Sequence, residues 1–99
     1  MMSHQNVFDQ FKNRAENADP LGGTLKFMVD KNAIFIDGNG DQNIVSMDDL
    51  EADCTITVSV EVLEKLRDGE LNPMMAVMGG KIKIDGDMGL AMKVQSLMG

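Results

Sequence analysis

Leu25, Phe27 and Val29 alternate with Thr24, Lys26, Met28 and Asp30, a period of two that gives an extended strand one apolar face. The same period returns in Cys54 to Ser59, where Cys54, Ile56 and Val58 oppose Thr55, Thr57 and Ser59, and in Lys81 to Asp85 around Ile82 and Ile84. The apolar run Ala33-Ile34-Phe35-Ile36 and the stretch Asn43 to Met47 supply two further strands. Five short strands thus fall within 99 residues, the first three of them as a meander. Lys31-Asn32 predicts a tight turn between the first two strands, and Asp37-Gly38-Asn39-Gly40-Asp41 one between the second and third. Asp48 to Asp53 is too acidic and too short for a buried element and is expected to be a loop.

Helical signals surround these strands. Ser3 offers an N-cap to a segment running to Asn17, with Val7, Phe8, Phe11 and Ala15 on one stripe. That stripe can pack on the domain or touch a bilayer. Asp19-Pro20-Leu21-Gly22-Gly23 breaks the pattern. Ser59 can cap a helix over Val60 to Asp68, with Glu61 placed to meet Lys65 and Gly69 as a left-handed stop. Asn72-Pro73 starts a short helix over Met74 to Met78 that has no polar face and ends at Gly79-Gly80. Gly86-Asp87 turns the chain into a last, mostly apolar helix from Met88. A helix without a polar face must be covered on nearly all sides or must line something.

The length fits one domain over residues 1–99 with a single core. A formal charge of -7 repels phosphate backbones and argues against nucleic acid as a partner and against lasting attachment to anionic bilayers, so any membrane contact should be transient. The single cysteine cannot form an internal disulfide and the N-terminus lacks signal-peptide blocks, so a reducing cytoplasmic compartment is expected. No apolar run approaches the roughly 20 residues of a membrane-spanning helix.

Catalytic chemistry finds little to work with. The one histidine, His4, stands in a terminal segment, and no nucleophile pairs with it. Cys54 shares an apolar strand face and reads as an inert buried thiol. One Cys and one His make no zinc framework. Asp37-x-Asn39-x-Asp41 begins like a calcium loop, but Gln42 stands where glycine is needed and Asp48 where a bidentate Glu is needed. No metal or cofactor is expected, and the chain reads as a non-enzyme. What remains is apolar: ten methionines stand beside four aromatics, all Phe, and flexible thioethers suit irregular cores and promiscuous binding surfaces alike. A lipid-type cavity, an ordinary core and a partner interface all fit that inventory.

Three stretches carry a family resemblance: Ala52-Asp53-Cys54-Thr55-Ile56-Thr57, then Gly69-Glu70-Leu71-Asn72-Pro73, then Gly80-Lys81-Ile82-Lys83-Ile84-Asp85-Gly86-Asp87-Met88-Gly89-Leu90-Ala91-Met92-Lys93. In order and spacing they resemble the sterol carrier protein type-2 family, closely from Asp53 to Leu97 and by pattern from Phe8 to Met47. The resemblance implies an α+β fold, a five-stranded mixed sheet in the order 3-2-1-4-5 with helices on one face, and an apolar tunnel between. It also implies non-covalent binding and transfer of fatty acids, fatty acyl-CoA or sterol-like molecules. Carried onto this chain, the tunnel wall draws on Phe27, Phe35, Ile56 and Val58 of the sheet, on Leu63, Leu66, Met75 and Met78 of the middle helices, and on Met88, Met92, Gln95 and Met98 of the last. Ordinary core packing accounts for the apolar members equally well, and Gln95 is either an orienting contact or a surface amide.

The chain ends Leu97-Met98-Gly99 without a peroxisomal tripeptide, which points to a bacterial-type cytoplasmic carrier. That early end and the mobile side chains of Met74, Met75 and Met78 favour acyl chains over sterols. The family's domain also occurs joined to enzymes, so a second expectation is a protein-interaction or substrate-presenting module for a lipid-metabolising enzyme.

Overall fold

The computed structural model describes residues 4–98, with side chains for residues 6–66 and 68–93. Helix α1 spans His4–Glu16, and strands β1, β2, β3 and β4 span Thr24–Val29, Asn32–Asp37, Ile44–Ser46 and Cys54–Val58. Helices α2 and α3 follow at Val60–Arg67 and Pro73–Met78, then β5 at Lys83–Gly86 and α4 at Met88–Met98. The five strands form one sheet in the order β3-β2-β1-β4-β5. Strand β4 runs parallel to β1, and the other neighbouring pairs are antiparallel.

Local chemistry accounts for most boundaries. Ser59 accepts a hydrogen bond from Val62 N and caps α2, and Gly69 with φ +76 follows its end. Asn72 caps α3 by accepting from Met74 N, with Pro73 in its first turn. Asp87 Oδ1 accepts from Gly89 N at 2.8 Å and starts α4. The predicted cap at Ser3 lies outside the described residues. The first hairpin turns one residue earlier than Lys31-Asn32: Asp30 and Lys31 occupy the loop with φ of 48° and 74°, and Asn32 pairs with Val29. Two positive φ values are what a two-residue turn between right-twisted strands requires. Two side chains hold that register. The Asn32 amide donates to Asp30 O at 3.2 Å, and the Asp30 carboxylate accepts from Val60 N at 3.2 Å, tying the turn to α2.

The strand register sorts side chains onto two faces. Leu25 is level with Ile36 and Cys54, Phe27 with Ile34 and Ile56, and Val29 with Val58. These share one core with Val7, Phe11 and Ala15 of α1, Val60 and Leu63 of α2, and Leu90 and Ala91 of α4. The helical layer therefore covers that face. Phe35 is level with Lys26 and so stands on the opposite face, buried but outside this core. The residues from 47 to 53 must cross two strands to join β3 to β4, and Lys26 Nζ meets Asp49 at 2.8 Å. That contact holds Asp49 of the acidic link to the second face, the face that carries Lys26 and Phe35.

One buried polar residue holds the end of α1 to the sheet. Asn43, 1% exposed, accepts from Leu21 N at 2.9 Å and donates to Ala15 O at 2.8 Å and Asp19 O at 3.0 Å. A fully satisfied amide of this kind costs little to bury and is costly to leave unpaired. Gly38 leaves room for it, since a β-carbon there would lie 2.7 Å from Asn43 Oδ1.

Candidate functional site

Helix α1 aims Val7, Phe11 and Ala15 inward at helical spacing, which turns Phe8 to the edge of the covered face, where it is half-buried. The Phe11 ring stacks on Phe27 with centroids 4.5 Å apart, filling the space between α1 and the middle of the sheet. Beside this stack, at the end of the sheet holding the first hairpin, lies a cavity of about 270 Å³. Val7 and Phe8 form its helical wall, Val29, Ala33 and Ile34 its sheet wall, and Met47 and Asn32 complete it. Phe27 is level with Ile34, and Phe11 stands one turn along α1 from Val7 and Phe8, so the aromatic stack neighbours the lining residues without itself lining the cavity. The lining carries no charge. Its one amide, Asn32, spends its N–H groups on the carbonyls of Val29 and Asp30. Such a wall can desolvate a hydrocarbon chain and offers nothing to hold a buried ion.

Of the side chains expected to line a tunnel, Phe27, Ile56, Val58 and Leu63 come together in the core, and Leu66 packs against it. Phe35 does not join them because the register places it on the other face. Met75, Met78, Met88 and Met92 face water, at 69%, 84%, 55% and 64% exposure. The reason is geometric: α3 seats only Ala76, and α4 seats Leu90 and Ala91, so a sheet that covers one side of each leaves the other sides open. The side chains of Gln95 and Met98 lie outside the described ones. None of the expected residues whose side chains are described lines the observed cavity. Its signal in the sequence was the adjacent pair Val7-Phe8: one helix stripe cannot bury both fully, and the surplus ring is left at the rim.

Cys54 is fully buried, and burial pushes its thiol up from its ordinary value of 9.0, with the carboxylates of Asp87 and Asp85 adding to the effect. A thiol held in its protonated form is a poor nucleophile. Asp37 Oδ1 accepts from Asn39 N at 3.1 Å, so the start of the calcium-like stretch serves a turn. Among the described residues no three metal-ligating side chains gather. The His4 side chain lies outside the described ones.

A mixed sheet with one apolar face under helices, and an uncharged cavity between the two layers, defines an α+β domain suited to enclosing apolar matter. Residues 5–99 match the SCP-2 sterol transfer family, and the chain belongs to that family. It is 48% identical over 103 residues to sterol carrier protein 2 of Bos taurus, covering 92% of this chain and 19% of that protein. The chain thus spans less than a fifth of the length of this and the rabbit sterol carrier protein 2. In fold it is similar to palmitated SCP2L2 of Aedes aegypti, with a TM-score of 0.73 and 23% identity over 98% of this chain and 95% of that one. It is also similar to part of a stereoselective inverting sec-alkylsulfatase of a Pseudomonas species, with a TM-score of 0.59 and 19% identity over 92% of this chain and 13% of that one.

Proposed function

We propose that this domain binds single-chain lipids, fatty acids and fatty acyl-CoA in preference to sterol-like molecules, and transfers them between membranes without chemical change. The observation that carries the reading is the uncharged cavity of about 270 Å³ between α1 and the first hairpin. Its volume lies just under the roughly 300 Å³ at which pockets for drug-sized ligands begin. A flexible chain can enter such a space end-on and lengthen its contact by moving the Phe11 and Phe27 rings, whereas a rigid fused-ring system needs the whole width at once. The bovine relative's name and the palmitated form of the mosquito protein support a lipid ligand. The buried thiol and the scarcity of catalytic groups support a role without chemistry. The same thiol, and the lack among the described residues of any helix long and apolar enough to cross a membrane, support work in the cytoplasm with transient membrane contact.

A second reading, a substrate-presenting module for a lipid-metabolising enzyme, is favoured by one observation: the same fold forms part of the alkylsulfatase chain. Thermal melting of delipidated protein against fatty acids and acyl-CoAs of increasing length separates the two. A ligand at about 100 times its Kd adds about 2.7 kcal/mol, which raises Tm by roughly 10 to 20 °C in a domain of this size. The carrier reading expects a rise that grows with chain length. A flat response from folded, lipid-free protein would leave the module as the better account.

A further inference from the structure

Of the methionines whose side chains are described, Met47 alone lines the cavity. Its place follows from the pairing of β2 with β3. Ile36 is level with Val45 and Phe35 with Ser46, so one further step sets Met47 level with Ile34, on the apolar face. That step lies just past the end of β3 at Ser46, and Met47 is 52% exposed where Val45 is 8% exposed. Its thioether side chain therefore belongs to two surroundings, the wall of the cavity and the solvent outside.

A thioether that solvent can reach is open to peroxide. The sulfur lone pair attacks one peroxide oxygen, an S–O bond forms as the O–O bond breaks, and the other oxygen leaves as water. The sulfur loses two electrons, the peroxide gains them, and an apolar side chain becomes a polar sulfoxide. The cavity wall has no side-chain donor to spare for the new oxygen. Asn32 carries the only side-chain N–H groups among the lining residues and spends them on Val29 O and Asp30 O. Turned inward, the sulfoxide is an unpaired acceptor that a hydrocarbon chain would desolvate. Turned outward, it is hydrated and withdraws Met47 from the wall. Either way the filled cavity loses apolar contact. The other described sulfurs do not share this position: Met74, Met75, Met78, Met88 and Met92 are exposed but lie outside the wall, and Cys54 is fully buried.

We infer that Met47 is a sulfoxidation site through which a peroxide makes the cavity release its lipid. The inference rests on the lipid binding proposed above and gives that binding a chemical control.

Palmitate binding, read by displacement of a fluorescent fatty acid before and after mild treatment with hydrogen peroxide, tests it. Peptide mass spectrometry measures the sulfoxide at each methionine. In the native protein, affinity should fall about tenfold in step with sulfoxide at Met47, the scale of one unpaired polar group in an apolar wall. Met47→Leu should escape that fall, each protein being compared with its own unoxidised form. Met74→Leu combined with Met75→Leu and Met78→Leu should show it in full. Met47→Gln, which puts a polar group at the same place, should bind weakly without any peroxide. Melting curves check that each variant folds, and the native protein alone supplies a further readout: bound palmitate should slow sulfoxidation at Met47 more than at Met78. Affinity that survives sulfoxide at Met47 overturns the inference, as does an equal fall in Met47→Leu. A Met47 that stays reduced while Met78 is oxidised, or one that bound palmitate does not protect, overturns it too. Failure of the unoxidised native protein to take up palmitate overturns the carrier reading itself, and the inference falls with it.

Discussion

Replacing Phe11 by alanine removes a ring that stacks on Phe27 at 4.5 Å and is 6% exposed. The lost burial and the void left behind cost about 3 to 5 kcal/mol, because close-packed surroundings relax only in part. A domain with total stability of about 5 to 15 kcal/mol survives that loss at low temperature. Phe27 is level with Ile34 of the cavity wall and Phe11 lies one helical turn from Val7 and Phe8, so on the proposed function a ligand chain long enough to pass Ile34 reaches the void and refills it. Each methylene placed there recovers about 0.8 kcal/mol, and three or four recover about 2.5 to 3 kcal/mol. The variant should therefore melt below the native protein when empty and lose part of that deficit with long acyl chains but not with short ones. Read by displacement of a fluorescent fatty acid, the affinity of long chains relative to short ones should rise by up to about 100-fold, following the tenfold change per 1.4 kcal/mol. A uniform loss of affinity across all lengths would refute the reasoning, since it would make the Phe11–Phe27 stack plain core with no path from the cavity.

Asn43→Leu strands Leu21 N, Ala15 O and Asp19 O in a site that is 1% exposed, and about 3 to 5 kcal/mol of stability should go with them. A loss under about 1 kcal/mol by urea unfolding would show that water replaces the amide. Because the Cys54 thiol is raised above 9.0 in the folded state, the unfolded thiol ionises first as pH rises. Its contribution is thus complete below about pH 9 and is lost above it, with a slope of at most about 1.4 kcal/mol per pH unit. Urea titrations from pH 8 to 11 should show a shallower decline in Cys54→Ala than in the native protein, and parallel curves would remove the thiol from the account. Gly86 has φ +108, and a β-carbon there would collide with Asp53 O. Gly86→Ala should therefore displace the end of β5 from β4 and cost several kcal/mol on strain grounds, and a melting point near native would contradict that.

The local signals of this chain were sufficient for its elements. Capping by Ser59, Asn72 and Asp87, the stop at Gly69 and the period-two strands depend on neighbours a few residues away, so they can be read directly. Strand order is different: it entered through the family resemblance, and the structure has the same order β3-β2-β1-β4-β5. Tertiary packing alone decided which apolar side chains are covered. Met75, Met78, Met88 and Met92 carry the same hydrophobicity whether they face a tunnel or water, and an all-apolar helix has no polar face from which its orientation can be read. Phe35 shows the same limit in a strand, since the continuous run Ala33 to Ile36 has no alternation and only pairing with Lys26 assigns its face. The cavity is the most non-local feature of all. It exists because Val7 and Phe8 of α1, the first hairpin and Met47 meet at one end of the sheet. A void left by imperfect packing of distant segments has no signature in any one of them.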